Sequence, residues 1–331
     1  MTRQDNRLGG PQSAQVSKAL PAKPGAFAWI PAVLALCGAA TQGHAQAPAA
    51  PAPAPAPAAA PTPAPPTLQL HALSPTVYWG KEGGSNVALV IGDNGVILFD
   101  TTSSKVRGAH LIAEIAKVTP KPVNVIVLSH LDGDHVGGLS AFPKGVEIIA
   151  QTETAKALTA DATAGRGRVP VDYLPNHVVQ DRETLTRDGV KFELIHWAPA
   201  HTAGDLAMYL PDQKIVFTGD IFAFDLPRPF VKPEFNGTVD GWIKSAQGVL
   251  ALDADTFVIG HGDIQTKATL RPFVDTAVKE RDEIKALIAK GETLQQIEEA
   301  VGDPGNIEPA KLPPIFEPYS QIVYEQLTQK K

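Results

Sequence analysis

From Leu68 onward the chain alternates short apolar runs with turn signals. Thr76–Gly80, Asn86–Ile91 and Val96–Asp100 predict strands, separated by Gly83-Gly84-Ser85 and Asp93-Asn94-Gly95. Ala109–Val118 predicts a helix, because Leu111, Ile112, Ile115 and Val118 share one face. Val123–Ser129 is a short, fully apolar strand that ends abruptly at His130. A helix near Ala155–Ala160 precedes further strands at Lys191–Trp197, Leu206–Leu210, Ile215–Gly219 and Thr256–Gly260. Helices are predicted at Trp242–Leu252, Phe273–Ala289 and Thr293–Val301. Strands come first in each half and helices close it, which implies an α/β fold of two sheets sandwiched between helices.

The first 66 residues follow other rules. Arg3, Arg7, Lys18 and Lys23 against Asp5 make a basic start, and the apolar run Ala26–Ala40 follows it. Gly43-His44-Ala45 supplies small residues for cleavage, so residues 1–45 are expected to be a signal peptide. Residues 47–66 hold nine prolines, ten alanines and Thr62 and nothing else, so 46–67 is expected to be an extended linker. The remaining 68–331 is long enough for one large domain, its helical C-terminal part starting near 268. The expected destination is the periplasm.

Composition removes several function classes. Lys and Arg total 29 against 35 Asp and Glu, for a net charge of −6, with no basic run to grip nucleic acid. No apolar stretch after residue 66 approaches the roughly 20 residues of a membrane span. No stable membrane insertion is therefore expected once the leader is removed. The single cysteine, Cys37, lies in the expected leader, so the mature chain has no thiol chemistry.

Candidate chemistry sits with the nine histidines. The densest segment is Ser129-His130-Leu131-Asp132-Gly133-Asp134-His135, at the end of a buried strand. Asp132 and Asp134 held this close repel unless a cation lies between them, and imidazole with carboxylate suits Zn, Fe or Mn. Three weaker motifs accompany it: Pro199-Ala200-His201-Thr202-Ala203-Gly204-Asp205, Phe217-Thr218-Gly219-Asp220 and Ile259-Gly260-His261-Gly262-Asp263. No G-x-S-x-G elbow, phosphate loop or G-x-G-x-x-G is present.

In that order and spacing the motifs resemble the metallo-β-lactamase superfamily across nearly all of 68–330. The resemblance implies a four-layer αββα sandwich with added C-terminal helices, and a dinuclear hydrolase of a small molecule. Carried over, His130, Asp132 and His201 would bind the first metal, and Asp134, His135 and His261 the second. Asp220 would bridge them, Asp134 would orient the attacking hydroxide, and Asp100 would support the metal loop from behind. Zinc is the first expectation, with Fe or Mn as alternatives. The implied reaction is attack by a metal-bridging hydroxide on an ester, thioester, lactone or amide carbonyl, a β-lactam among them.

The sequence departs from the family at one ligand. The usual loop reads H-x-H-x-D-H, and here Asp132 stands at the second histidine. Two divalent ions, three carboxylates and one hydroxide leave no net charge, one unit below the histidine version. That extra anion is expected to weaken the first metal as a Lewis acid and to favour harder ions. Flavodiiron proteins carry a glutamate at this position, so an iron-dependent redox or oxygen-handling protein is an alternative. A non-catalytic binding protein on the same fold is another. Asp220 stands where zinc β-lactamases place Cys or Ser, and a bridging aspartate there instead resembles glyoxalase II-like thioesterases and lactonases. Phe222–Asn236 is rich in proline and phenylalanine, and reads equally as a lid over the metals or as a packed crossover. As a lid it would place Phe222, Phe224 and Phe230 on the wall of a substrate pocket. His196 is expected to make a strand-end contact, and His110 and His177 to be exposed.

Overall fold

Strands whose two faces are both covered need apolar residues at every position, and β4 (Val96–Phe99) meets that demand. Its Val96 and Leu98 face a helical layer, while Ile97 and Phe99 face a second sheet. The computed structural model describes residues 68–82, 84–167, 169–223, 228–302 and 317–328. The expected leader, the linker and Phe224 lie outside the described residues.

Among the described residues the first sheet contains seven strands in chain order. Antiparallel β1 (Leu70–Ala72), β2 (Val77–Glu82), β3 (Ser85–Ile91) and β4 lead to parallel β5 (Val123–Val127), β6 (Glu147–Gln151) and β7 (His177–Val179). Between them lie α1 (Lys105–Val118), the single turn α2 (Gly133–Val136) and α3 (Thr152–Thr163). The second sheet contains β8 (Arg182–Arg187), β9 (Val190–Ile195), β10 (Ala207–Leu210), β11 (Ile215–Ala223) and β12 (Thr256–His261). Only β11 and β12 run parallel there. The chain closes with α4 (Val239–Ala251), α5 (Lys267–Ala289), α6 (Leu294–Val301) and α7 (Tyr319–Thr328).

Three apolar cores bind these pieces into four layers. Leu111, Ile115 and Leu158 of α1 and α3 pack on the outer face of the first sheet. Between the sheets lie Ile97, Phe99, Val125, Val127, Leu194, Met208 and Phe217, with the Phe99 and Phe217 rings 5.7 Å apart. Trp242, Val274, Ile284 and Ile322 seal the outer face of the second sheet. Each such side chain contributes about 1.5–3 kcal/mol by leaving water. No helix among the described residues is long and apolar enough to cross a membrane.

Several elements begin earlier than their apolar periodicity predicts. Ser104 accepts the Arg107 N–H and starts α1 four residues before Ala109, at Lys105. Thr238 caps α4 through the Gly241 N–H, and α5 starts at Lys267 and runs through Pro272 rather than beginning at Phe273. The short strands β1, β6, β7 and β8 and the helix α7 have no counterpart in the predicted elements.

The strand ends position the site. β4 ends one residue before Asp100 and β5 runs out into Ser129-His130, while β12 ends on His261. β11 carries register shifts on both sides of Gly219, whose φ is +52°. This bulge turns Asp220 to the same edge of the sandwich. An added Cβ at Gly219 would meet the Ser129 Cβ at 2.4 Å, so glycine is what lets β11 approach the metal loop.

Candidate metal centre

Asp100 starts the chain of support behind the histidines. It is buried and holds φ +63° without being glycine. Its carboxylate accepts the Ser129 N–H at 2.8 Å, the Ser129 hydroxyl at 2.7 Å and His135 Nδ1–H at 2.7 Å. Because a carboxylate only accepts, the Ser129 proton goes to Asp100, and Ser129 Oγ in turn accepts His130 Nδ1–H at 2.8 Å. One aspartate thus fixes the tautomers of His135 and His130, leaving both Nε2 lone pairs free. Ser129 carries no signal of its own in the sequence, since a serine before the motif looks like any strand-end residue.

His201 is fixed from another direction. Its Nδ1–H donates to the Phe230 carbonyl at 2.8 Å, and the Lys232 N–H donates to the His201 carbonyl at 2.9 Å. Its loop is braced by Asp205, which accepts the Thr202 N–H and hydroxyl at 2.9 and 3.0 Å. On the far side, Asn86 of β3 donates to the carbonyls of Ile259 and Gly262, 2.7 and 2.8 Å away, and so grips the segment bearing His261. Ser85 holds the turn of Asp134 through the Asp134 carbonyl at 2.7 Å.

Seven side chains meet as two groups. His130, Asp132, His201 and Asp220 form one, and Asp134, His135 and His261 the other. In the first, Asp132 Oδ2 lies 3.5 Å from His130 Nε2 and 3.2 Å from His201 Nε2, while Asp220 Oδ2 lies 3.8 and 3.7 Å from the same atoms. In the second, the Nε2 atoms of His135 and His261 are 3.4 Å apart, and Asp134 Oδ2 lies 3.6 and 3.3 Å from them. Asp220 reaches this group as well, with Oδ1 3.4 Å from His135 Nε2 and Oδ2 3.4 Å from His261 Nε2. Bonds of about 2.0–2.1 Å to one tetrahedral cation place ligand atoms roughly 3.3 Å apart. His130 Nε2, Asp132 Oδ1 and Asp220 Oδ1 are buried without a hydrogen-bond partner. The donor set and these orphaned atoms fit two divalent cations that share Asp220.

The electrostatics of the protein alone point the same way. Burial would raise the Asp132 carboxyl, but hydrogen bonds and attraction from His130 and His201 hold it well below the carboxylate range. Asp220 is likewise held low, by His135 and His261 against its burial. Burial would depress the imidazoles too, yet Asp220 and Asp100 push His135 up to about 9, and Asp220 with Asp134 pushes His261 up to about 11. Positive charge is in demand at this spot, and without cations protons supply it.

Two expectations change. Phe222 does not line a pocket: it is fully buried on β11, against Trp242 and Phe273 at ring distances of 6.0 and 6.5 Å. The register shift between Gly219 and Ala223 breaks the strand's alternation, so the Phe222 ring meets the helices while Asp220, two residues earlier, turns to the site. Phe230 does stand beside the site, its ring 4.8 Å from that of His201. His177 is half-buried rather than exposed, held by Glu147 at 2.8 Å and Glu183 at 2.9 Å. His110 is exposed on α1, and His196 Nδ1–H donates to the Asp205 carbonyl at 2.8 Å. Sequence reasoning missed Lys232, whose ammonium bonds Asp132 Oδ2.

The family model of the metallo-beta-lactamase superfamily matches residues 80–261. The 2,4-dinitroanisole O-demethylase subunit alpha of Nocardioides sp. (strain JS1661) is 29% identical over 200 residues, covering 59% of this chain and 58% of that protein. The hydroxyacylglutathione hydrolase of Brucella anthropi is 32% identical over 200 residues, covering 56% of this chain and 69% of the other. The stereoselective inverting sec-alkylsulfatase from Pseudomonas sp. superposes with a TM-score of 0.63 at 19% identity, covering 79% of this chain and 50% of that one. The chain therefore spans little more than half the length of the demethylase subunit and half of the sulfatase.

Proposed function

The chain belongs to the metallo-β-lactamase superfamily, and on that footing we propose that it is an exported, metal-dependent hydrolase of a small molecule. The observation that carries this reading is the convergence of four imidazoles and three carboxylates into two groups joined by Asp220. His130, Asp132 and His201 would hold one divalent cation, Asp134, His135 and His261 the other, and Asp220 both. Zinc is the first candidate, with iron or manganese as alternatives. Cations held there supply an acidified water and polarise the bond under attack.

The chain's own residues do the rest. Asp100 and Ser129 keep the Nε2 atoms of His135 and His130 aimed inward, so the ligands need no rearrangement. Asp134 has the most exposed carboxylate of the three, with 32% of its side chain open to solvent. Its Oδ2 faces His135 and His261, which leaves the other oxygen to orient a water molecule and accept its proton. The Phe230 ring stands as an apolar wall beside the first cation group, 4.8 Å from the His201 ring.

The substrate classes we put first are esters, thioesters, lactones and amides, β-lactams included. The names of the relatives add sulfate esters and aryl methyl ethers to the set worth assaying. Asp220→Ala should keep the fold and lose at least about 100-fold in kcat with the best of these substrates. Unchanged turnover in that variant would remove Asp220 from the centre. Export rests on the basic start and the apolar run Ala26–Ala40. Mass spectrometry of the periplasmic fraction should find a chain that begins at Gln46, and an uncleaved cytoplasmic chain would refute it.

A further inference from the structure

Asp132 puts a negative charge where the superfamily resemblance leads one to expect a neutral imidazole, and the structure shows what stands against that charge. The ammonium of Lys232, 100 residues further along the chain, donates to Asp132 Oδ2. This is the same oxygen that faces His130 Nε2 and His201 Nε2. The lysine is not a surface group that happens to reach inward, because only 12% of its side chain is exposed. Its ammonium lies 5.0 Å from the centre of the Phe230 ring and 5.6 Å from that of Phe235. Confining a long cationic side chain between two rings costs rotamer freedom and hydration, and a close carboxylate offsets that cost.

Its backbone is as firmly placed as its tip. The Lys232 N–H donates to the His201 carbonyl at 2.9 Å, and the Lys232 carbonyl accepts from Phe235 and Gly237 at 3.0 and 2.9 Å. Two residues earlier, Phe230 accepts the proton of His201 Nδ1. A single segment therefore orients one ligand, His201, and neutralises another, Asp132.

We propose that Lys232 is a charge-balancing and positioning residue of the metal centre, and that Asp132 and Lys232 together take the place of one neutral histidine. The aspartate lowers the charge around the first cation by one unit, and the lysine restores it. This revises the expectation that Asp132 alone weakens the first metal as a Lewis acid. It also predicts that changing the charge of either residue alone shifts cation affinity, in opposite directions, and that changing both restores it. The inference rests on the reading that the site holds two divalent cations.

The test is charge compensation between single and double variants, read as Zn²⁺ affinity by competition with a chromogenic chelator on the chain from Gln46 onward. Lys232→Met fills the space between the rings but exposes the Asp132 charge. It should bind Zn²⁺ at least about tenfold tighter at one of the two sites. Lys232→Arg keeps the charge and should stay within about threefold of the wild type, which also controls for folding. Asp132→His leaves the lysine unpaired beside a cation and should bind at least about tenfold weaker. The double variant Asp132→His/Lys232→Met should return to within about threefold of the wild type. A Lys232→Met protein that binds Zn²⁺ no tighter than the wild type would overturn the proposal. So would a double variant no better than Asp132→His alone. If the wild type itself takes up no Zn²⁺, the two-cation reading fails first and the pairing falls with it, an outcome distinct from the other two.

Discussion

A Cβ added at Gly260 would lie 1.9 Å from Asp220 Oδ1, so the position of the shared carboxylate depends on a missing methyl group on the neighbouring strand. Gly260→Ala should push Asp220 off its line to His135 and His261, and cut kcat by about 10–100-fold, the range seen when a ligand's support is lost. Kinetics with thermal melts as a control checks this, and full activity at unchanged stability would contradict it. At this scale the candidate site was mostly legible. Histidines and aspartates packed into short motifs after apolar runs, as in His130–His135, have little use in a fold except as ligands. Lys232 was not legible, because its partner lies 100 residues away and a lysine in a proline-rich stretch has the look of a solvated side chain. Phe222 misled for a related reason: regular alternation would put residues 220 and 222 on one face, and the register shift between Gly219 and Ala223 that separates them leaves no mark in the sequence.

At the scale of elements, the edges of the two sheets are clipped together by charge. His177 on β7 bonds Glu147 on β6 and Glu183 on β8, and Arg187 on β8 returns to Glu147 at 2.7 and 2.8 Å. The Arg187 hydrogen bond, with help from His177, outweighs desolvation and lowers the Glu147 carboxyl from 4.5 to about 2. Burial would depress His177, but its two glutamates raise it above its usual 6.5. The signs follow by linkage. The glutamate contributes stability that is complete above about pH 4.5 and is lost as pH falls towards 2. The histidine contributes below about pH 6.5 and loses its part as pH rises through its folded value. Glu147→Gln should therefore cost about 1–2 kcal/mol between roughly pH 4.5 and 6.5, discounted for its partial exposure, and most of that cost should be gone near pH 2. Denaturant unfolding across that range measures it, and a pH-independent cost would show that the clip is not ionic. The same region was hard to read in sequence. β8 (Arg182–Arg187) buries only Leu185, so it lacks the apolar rhythm that exposed β4 and β5, and β7 contributes three residues. Both are strands because neighbours offer ladder partners, which a local pattern does not record.

For the molecule as a whole, the αββα layering was readable from the order of apolar runs and helices. Strands covered on both faces are uniformly apolar and stand out against their turns. What the pattern did not reveal was how the layers cooperate at one edge. The first sheet delivers Asp100 and the His130–His135 loop, and the second delivers His201, Asp220 and His261. Asn86 crosses from β3 to the end of β12 to hold the two sets in register. Removing the cations should then loosen the contact between sheets as well as end catalysis, since ligands that bind only the folded state add to its stability. Everything else depends on this edge holding two divalent cations. Metal content, by plasma mass spectrometry, of the chain from Gln46 onward, purified without chelator, decides it. Two zinc, iron or manganese ions per chain are expected. A chain that retains none of these, even after refilling, would overturn the two-cation centre.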